Sequence, residues 1–187
     1  QGHVTLTHFH YLYVNAWGQN VYAKEVIDAL GNTLFLENDT LGRLKWEIRK
    51  DNFGCIVQKR EYNYDAAGNC IEQIEHLIVP GSAEDQIRHC FFYDVNNNLT
   101  RWVLSAGKPE EKQVLYTYNA SRQKTALIKP DGTRLEYAYD YLGRLSDFKS
   151  SKGDFHYQYT YDANFNVVAV HDLVKGTQTQ RSYDSNN

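Results

Sequence analysis

The chain has 187 residues, 42% of them hydrophobic and 23% charged, with a formal net charge of −3 and basic residues scattered rather than massed. That length suits a single domain, which would bury roughly 70% of its unfolded surface if compact. The charge gives no electrostatic footprint for nucleic acid. No run approaches the roughly 18 apolar residues needed to span a bilayer, and no basic start with an apolar core marks a secretion signal. Fifteen tyrosines and only three prolines favour long, uninterrupted strands.

In chain order, His8 and His10 come first, sharing a strand face at metal-ligand spacing without a third ligand nearby in sequence. A turn follows at Asn15 to Gly18, with Trp17 inside it. An indole there cannot easily reach a core, so Trp17 is the best candidate for stacking on a ligand. Anchors of the same kind recur at Asp28, Asp39, Asp51 and Asp65, only 11 to 14 residues apart. If every strand-to-strand turn carries the anchor here, the interval halves while the spatial repeat does not.

The phrase becomes plain at Tyr62, Tyr64, Asp65, Gly68 and Asn69. It returns at Tyr137, Tyr139, Asp140, Gly143, Arg144 and Leu145. Its anchors continue through Asp94, Asn119, Asp140, Asp162 and Asp184, 21 to 25 residues apart. A period near twenty signals units that bury their apolar face only by stacking on neighbours. Alternate residues of a strand share a face, so Tyr157, Tyr159 and Tyr161 line one side while Gln158 and Thr160 line the other. Stacked tyrosines on adjacent strands gain about 0.2–1 kcal/mol per pair, which accounts for the ladder without a ligand.

The aspartate suits the first position of a type I turn, its carboxylate accepting from the backbone two residues on. The glycine three residues later takes the positive φ that returns the chain to a strand, as in a hairpin with a bulge. Asn97 at that position tolerates a left-handed conformation. Arg122 and Phe165 do so poorly, which predicts another geometry for their turns. The last copy, Arg181 to Asn187, stops before its glycine, which reads as a segment of a longer tandem array.

These motifs resemble the YD-repeat, or Rhs-repeat, family found in bacterial polymorphic toxins, toxin-complex shell subunits and teneurins. Asp131 to Phe148 is close to an ideal family unit, and weaker matches extend from Asn15 to the end. The resemblance implies strands wound into a large spiral sheet that forms a hollow shell around a C-terminal segment. The expected fold class is all-β: tandem antiparallel β-hairpin repeats stacked into a twisted or spiral sheet, a partial YD-repeat shell or solenoid. Residues 1–187 are expected to be one YD-repeat domain cut from a longer array. Residues 1–60 carry the short intervals, and 61–187 carry repeats of about 22 residues with an insertion near 78–88. The insertion at Pro80 to Gln86 and the stretch Gly107 to Lys112 read as protruding loops.

Catalytic residues are not expected. There is no GxSxG, HExxH, GxxxxGK[ST] or GxGxxG, and the repeated aspartate is already explained by turn capping. No metal or cofactor is expected. Cys55, Cys70 and Cys90 form no CxxC and read as small buried apolar residues. Trp46, alternating with Leu44 and Ile48, reads as packed. Trp102 joins Trp17 as a possible ligand-stacking residue. The leading expectation is a non-catalytic encapsulating segment of a secreted or surface-exposed parent, with neighbouring YD repeats and a C-terminal toxin cargo as partners. The alternative is a carbohydrate- or receptor-binding module contacting a cell-surface glycan. Unpaired edge strands predict edge-to-edge homo-oligomers.

Overall fold

The computed structural model describes residues 5–78 and 85–184. Among these the protein is all-β: fifteen strands in a single antiparallel sheet whose spatial order is the chain order. No helix among the described residues is long and apolar enough to cross a membrane.

The chain divides into two compact units. The first comprises residues 1–91 and 103–111, the second 92–102 and 112–187. The strands preceding residue 85 are β1 (Leu6–Val14), β2 (Asn20–Ile27), β3 (Thr33–Asn38), β4 (Leu44–Lys50), β5 (Ile56–Tyr64) and β6 (Cys70–Leu77). Strands β7 (Asp85–Tyr93) and β8 (Leu99–Leu104) are divided between the units. The second unit continues with β9 (Lys112–Tyr118), β10 (Lys124–Ile128), β11 (Arg134–Tyr139), β12 (Leu145–Ser150), β13 (His156–Tyr161), β14 (Val167–Asp172) and β15 (Thr177–Gln180).

Antiparallel strands put successive turns at opposite ends of the sheet. The anchors Asn15, Asp39, Asp65, Asp94, Asn119, Asp140 and Asp162 each end an odd-numbered strand and so mark one row of corners. Asp28 and Asp51 follow even-numbered strands and mark the other. The short early intervals arise because both rows carry the phrase there. Of the expected insertion, Pro80 to Glu84 lies outside the described residues, while Asp85 and Gln86 begin β7 rather than a loop. The second expected loop is a turn-rich connection between β8 and β9.

Each unit is a single layer, so side chains are mostly half-buried. The buried apolar positions are small or medium-sized: Val21, Ala23, Ile74, Val103, Ala126, Leu135 and Ala169. No large side chain among the described residues is fully buried. Cross-strand contact does the work of a core. Tyr137 stacks on Phe148 with centroids 4.8 Å apart, and Phe148 lies 4.8 Å from Phe155. The opposite face of these strands carries Ala138, Asp147, Gln158 and His171 in one row.

The register shifts at the same place after successive corners. Opposite Tyr64, Tyr118, Tyr139 and Tyr161, the second residue of the outgoing strand is an extra one: Ile71, Thr125, Ser146 and Val168. Lys45 occupies the same position in β4. An inserted residue increases local twist and re-aims the side chains beyond it.

Two expectations are corrected. Arg122 and Phe165 adopt positive φ, at 62° and 69°, and close the same corner as the glycines, as Asn97 does at 62° in line with its expected tolerance. The Arg122 amide donates to the Asn119 carbonyl at 3.0 Å, as Gly143 does to Asp140. The hydrogen bonds that close the corner outweigh the left-handed penalty of about 1–2 kcal/mol. Cys55 is exposed rather than buried, because it sits between its corner and the first residue of β5. Cys70 and Cys90 are half-buried, and none of the three forms a disulfide among the described residues.

Arg122 is exposed, so its strained backbone can be relieved without loss of packing. The substitution Arg122→Gly is expected to raise stability by about 0.5–1 kcal/mol, read as a higher urea midpoint at unchanged slope.

Candidate functional site

The repeated corner is the best-defined constellation in the chain. At Asp140, one carboxylate oxygen accepts from the amides of Leu142 and Arg144, each at 2.9 Å. The other accepts from Arg144 Nε at 2.7 Å. The backbone closes the ring, with the Asp140 amide donating to the Arg144 carbonyl and the Gly143 amide to the Asp140 carbonyl. Gly143 has φ +81°, and a Cβ there would approach Gln123 Nε2 to 3.1 Å. At Asp65 the arrangement repeats, with Asn69 supplying both its amide and its side-chain nitrogen at 2.9 Å.

At most corners the fourth residue after the anchor is matched to it, Cys55 after Asp51 being the exception. Aspartates meet a donor: Arg43 on Asp39, Arg144 on Asp140, and Asn32, Asn69, Asn98 and Asn166 on their own aspartates. Where the anchor is asparagine, a glutamine follows and the polarity reverses. Asn15 Nδ2 donates to Gln19 and Asn119 Nδ2 to Gln123. These corners therefore need no charge to close.

Longer side chains also reach the next corner of the same row. Arg43 Nη1 donates to the Asp65 carbonyl and Arg144 Nη1 to the Asp162 carbonyl, each at 3.2 Å. In both, the guanidinium lies 4.6 Å from the ring of the tyrosine preceding that second corner, Tyr64 or Tyr161, a cation–π contact. Gln123 Nε2 makes the equivalent step to the Gly143 carbonyl at 2.7 Å.

The tyrosine before the anchor has a role that face-lining did not reveal. Its hydroxyl donates to the first carbonyl of the strand leaving the previous corner. The pairs are Tyr64 to Leu44, Tyr118 to Leu99, Tyr139 to Lys124, Tyr161 to Leu145 and Tyr183 to Val167, at 2.7 to 3.1 Å. The signal lay in the sequence: the position directly before the anchor repeats tyrosine and never phenylalanine in these copies.

Side-chain donation from Asn69, together with the backbone amides of the turn, holds Asp65 below the usual carboxylate range. At Asp140 desolvation opposes ionisation, but the backbone and side-chain hydrogen bonds of Arg144 outweigh it, so its pKa is also lowered. Such carboxylates stay ionised and fully engaged, the opposite of what a general acid requires.

Trp17 is 61% exposed and lies beside a surface cleft of about 290 Å³. Asn15, Gln19, Asn38, Asp39, Thr40 and Lys45 complete its lining, drawn from two successive corners of one row. Trp102 is half-buried in β8. Trp46 is half-buried too, with Lys59 Nζ 4.6 Å from its ring centre and His76 at 5.5 Å. His8 and His10 are exposed on β1. No group of three or more His, Cys, Asp or Glu among the described residues could hold a metal ion.

One pair escaped sequence reading. His156 Nε2 lies 2.7 Å from Asp147 Oδ2, with Gln158 Nε2 at 3.3 Å from the same oxygen. Nine residues and a turn separate the two, so only the register of β12 against β13 shows that they meet.

No family model matches the chain, and no curated protein matches it. Among solved structures it is similar to the crystal structure of TcdB2-TccC3-Cdc42, with 16% identity over 90% of this chain and a TM-score of 0.40. It is also similar to TcdB2-TccC3, with 14% identity over 84% of this chain and a TM-score of 0.38. A third is the Photorhabdus luminescens Tc holotoxin pore carrying a TccC3 mutation, with 14% identity over 90% of this chain and a TM-score of 0.35. The chain spans 11% of the length of each of those chains.

The hydroxyl bond separates two neighbouring tyrosines. Tyr139→Phe is expected to cost about 0.5–1.5 kcal/mol in urea unfolding, and Tyr137→Phe less than about 0.5 kcal/mol. The anchors give a local pH signature. The folded pKa values of Asp65 and Asp140 lie below the ordinary 3.8, so their contribution is present above that pH and is lost as pH falls through the folded value. Hydrogen exchange should show the amides of Leu142 and Arg144 losing protection below about pH 4. Those of Ser121 and Gln123, held by the uncharged Asn119, should remain protected.

Proposed function

We propose that the chain is a non-catalytic structural segment, a strip of encapsulating wall in a large secreted or surface-exposed YD-repeat toxin-like protein. The observation that carries this reading is the corner itself. Its aspartate, post-glycine residue and tyrosine are all committed to closing one turn or gripping the next. Side chains used in this way build a wall and leave little for chemistry. The single layer of each unit, with two half-buried faces, fits an element that separates one compartment from another.

Its natural partners in this reading are further strands of the same kind and a cargo segment enclosed by the sheet. β1 carries no Lys, Arg, Asp, Glu or Pro and exposes Leu6, Phe9, Tyr11, Leu12 and Val14. An uncharged, apolar strand of this kind is a template for adding another strand, from the same array or from a second copy.

A second reading, a carbohydrate- or receptor-binding module, is favoured by one observation. The exposed Trp17 lines a cleft together with the side-chain amides of Asn15, Gln19 and Asn38, the Asp39 carboxylate and the Thr40 hydroxyl, a combination that suits a sugar ring. Glycan-array screening of the wild type and Trp17→Ala separates the two: the wall reading expects no selective binding in either, whereas selective binding lost in the variant establishes the module. The wall reading also expects no hydrolysis of glycan or peptide substrates. Activity abolished by changing one carboxylate would defeat it.

A further inference from the structure

Glu37 is out of place in a sheet built this way. It is 7% exposed, and its Oε1 has no hydrogen-bond partner. Its cross-strand neighbours are Ala23 on β2, which is fully buried, and Trp46 on β4, so neither offers a charge to pair with a carboxylate. The nearby cation is Lys45, the extra residue at the register shift, but its ammonium is already held by Glu61 at 2.7 Å and Asn63 at 2.5 Å. The other ionisable groups on this face include His8 and His10 on β1, Glu25 on β2, Lys50 on β4, Lys59 on β5, Glu72 and His76 on β6, and Arg88 on β7. Burial raises the Glu37 pKa above its ordinary value and the Lys45 charge only partly opposes it.

We propose that Glu37 is a proton-operated latch, closing the β2–β3–β4 rungs when its carboxyl is neutral and loosening them when it ionises. A neutral carboxyl loses far less on leaving water than a carboxylate does. The ionised form regains hydration only if the rung beside the Lys45 shift opens. For a carboxyl whose folded pKa is raised, the native state holds the proton more tightly than the unfolded chain. Stability therefore falls as pH rises from the ordinary glutamate value through the folded one. The corner aspartates Asp39, Asp65 and Asp140 have the reverse sign and act in a lower window, below 3.8. Acidification from neutrality thus tightens this patch before it weakens the corners. The latch is independent of whether the sheet serves as a wall or as a glycan-binding surface.

Hydrogen exchange at β3 and β4, corrected for intrinsic rates, tests the proposal at about pH 5 and about pH 7.5. The wild type is expected to open more often at the higher pH, by up to about tenfold for each unit of raised pKa. Glu37→Gln should be protected equally at both, at the level of the wild type in acid, and His76→Gln should behave as the wild type. Equal protection of the wild type at both pH values overturns the proposal. So does persistence of the pH effect in Glu37→Gln, or its loss in His76→Gln. Should Glu37→Gln fail to fold, carbon-13 titration of the wild-type Glu37 carboxyl decides: a midpoint above 4.5 supports the latch, and one at or below 4.5 overturns it.

Discussion

Everything in this sheet depends on the grip of one turn side chain on the backbone around it. A single layer has no second layer to press against, so each reversal of the chain must satisfy its own polar groups. An aspartate anchor such as Asp140 does this with two oxygens. One collects the amides two and four residues on, and the other collects the side chain after the glycine. With the corner fixed, the register of the two flanking strands is fixed as well. Every half-buried aromatic then falls on a defined face.

The corner is also the unit of connection. Tyrosine hydroxyls and the Arg43, Arg144 and Gln123 side chains run from one corner to the next in the same row. These bonds lie nearly along the direction in which strands are added. They complement the ladder of backbone hydrogen bonds by tying the strand ends, where a sheet would otherwise fray. A corner with Asn and Gln reaches the same closure without charge, so adjacent rungs can differ in their response to acid while sharing one geometry.

Glu37 shows the cost of departing from this scheme. Corner carboxylates such as Asp65 and Asp140 are surrounded by donors and ionise readily, whereas Glu37 faces an alanine and an indole. Two carboxylates two residues apart in sequence, Glu37 and Asp39, therefore respond to protons in opposite directions. Environment, and not residue type, sets the sign.

The sequence by itself determined the strands, the corners and the alternation of faces, because each is settled within about five residues by turn chemistry and a two-residue period. Tyr64, Asp65, Gly68 and Asn69, like Tyr139, Asp140, Gly143 and Arg144, could be recognised as corners on that basis. The exposure of Trp17 followed from its place inside a turn. Only the tertiary structure decided what crosses between rungs: the carbonyl that each tyrosine reaches, the corner that Arg43 grips, the meeting of His156 with Asp147 and the burial of Glu37. These depend on register, and a one-residue shift after a corner moves every later side chain relative to its neighbours. Tertiary context also settled Arg122 and Phe165, where closing hydrogen bonds overrode a local preference against positive φ.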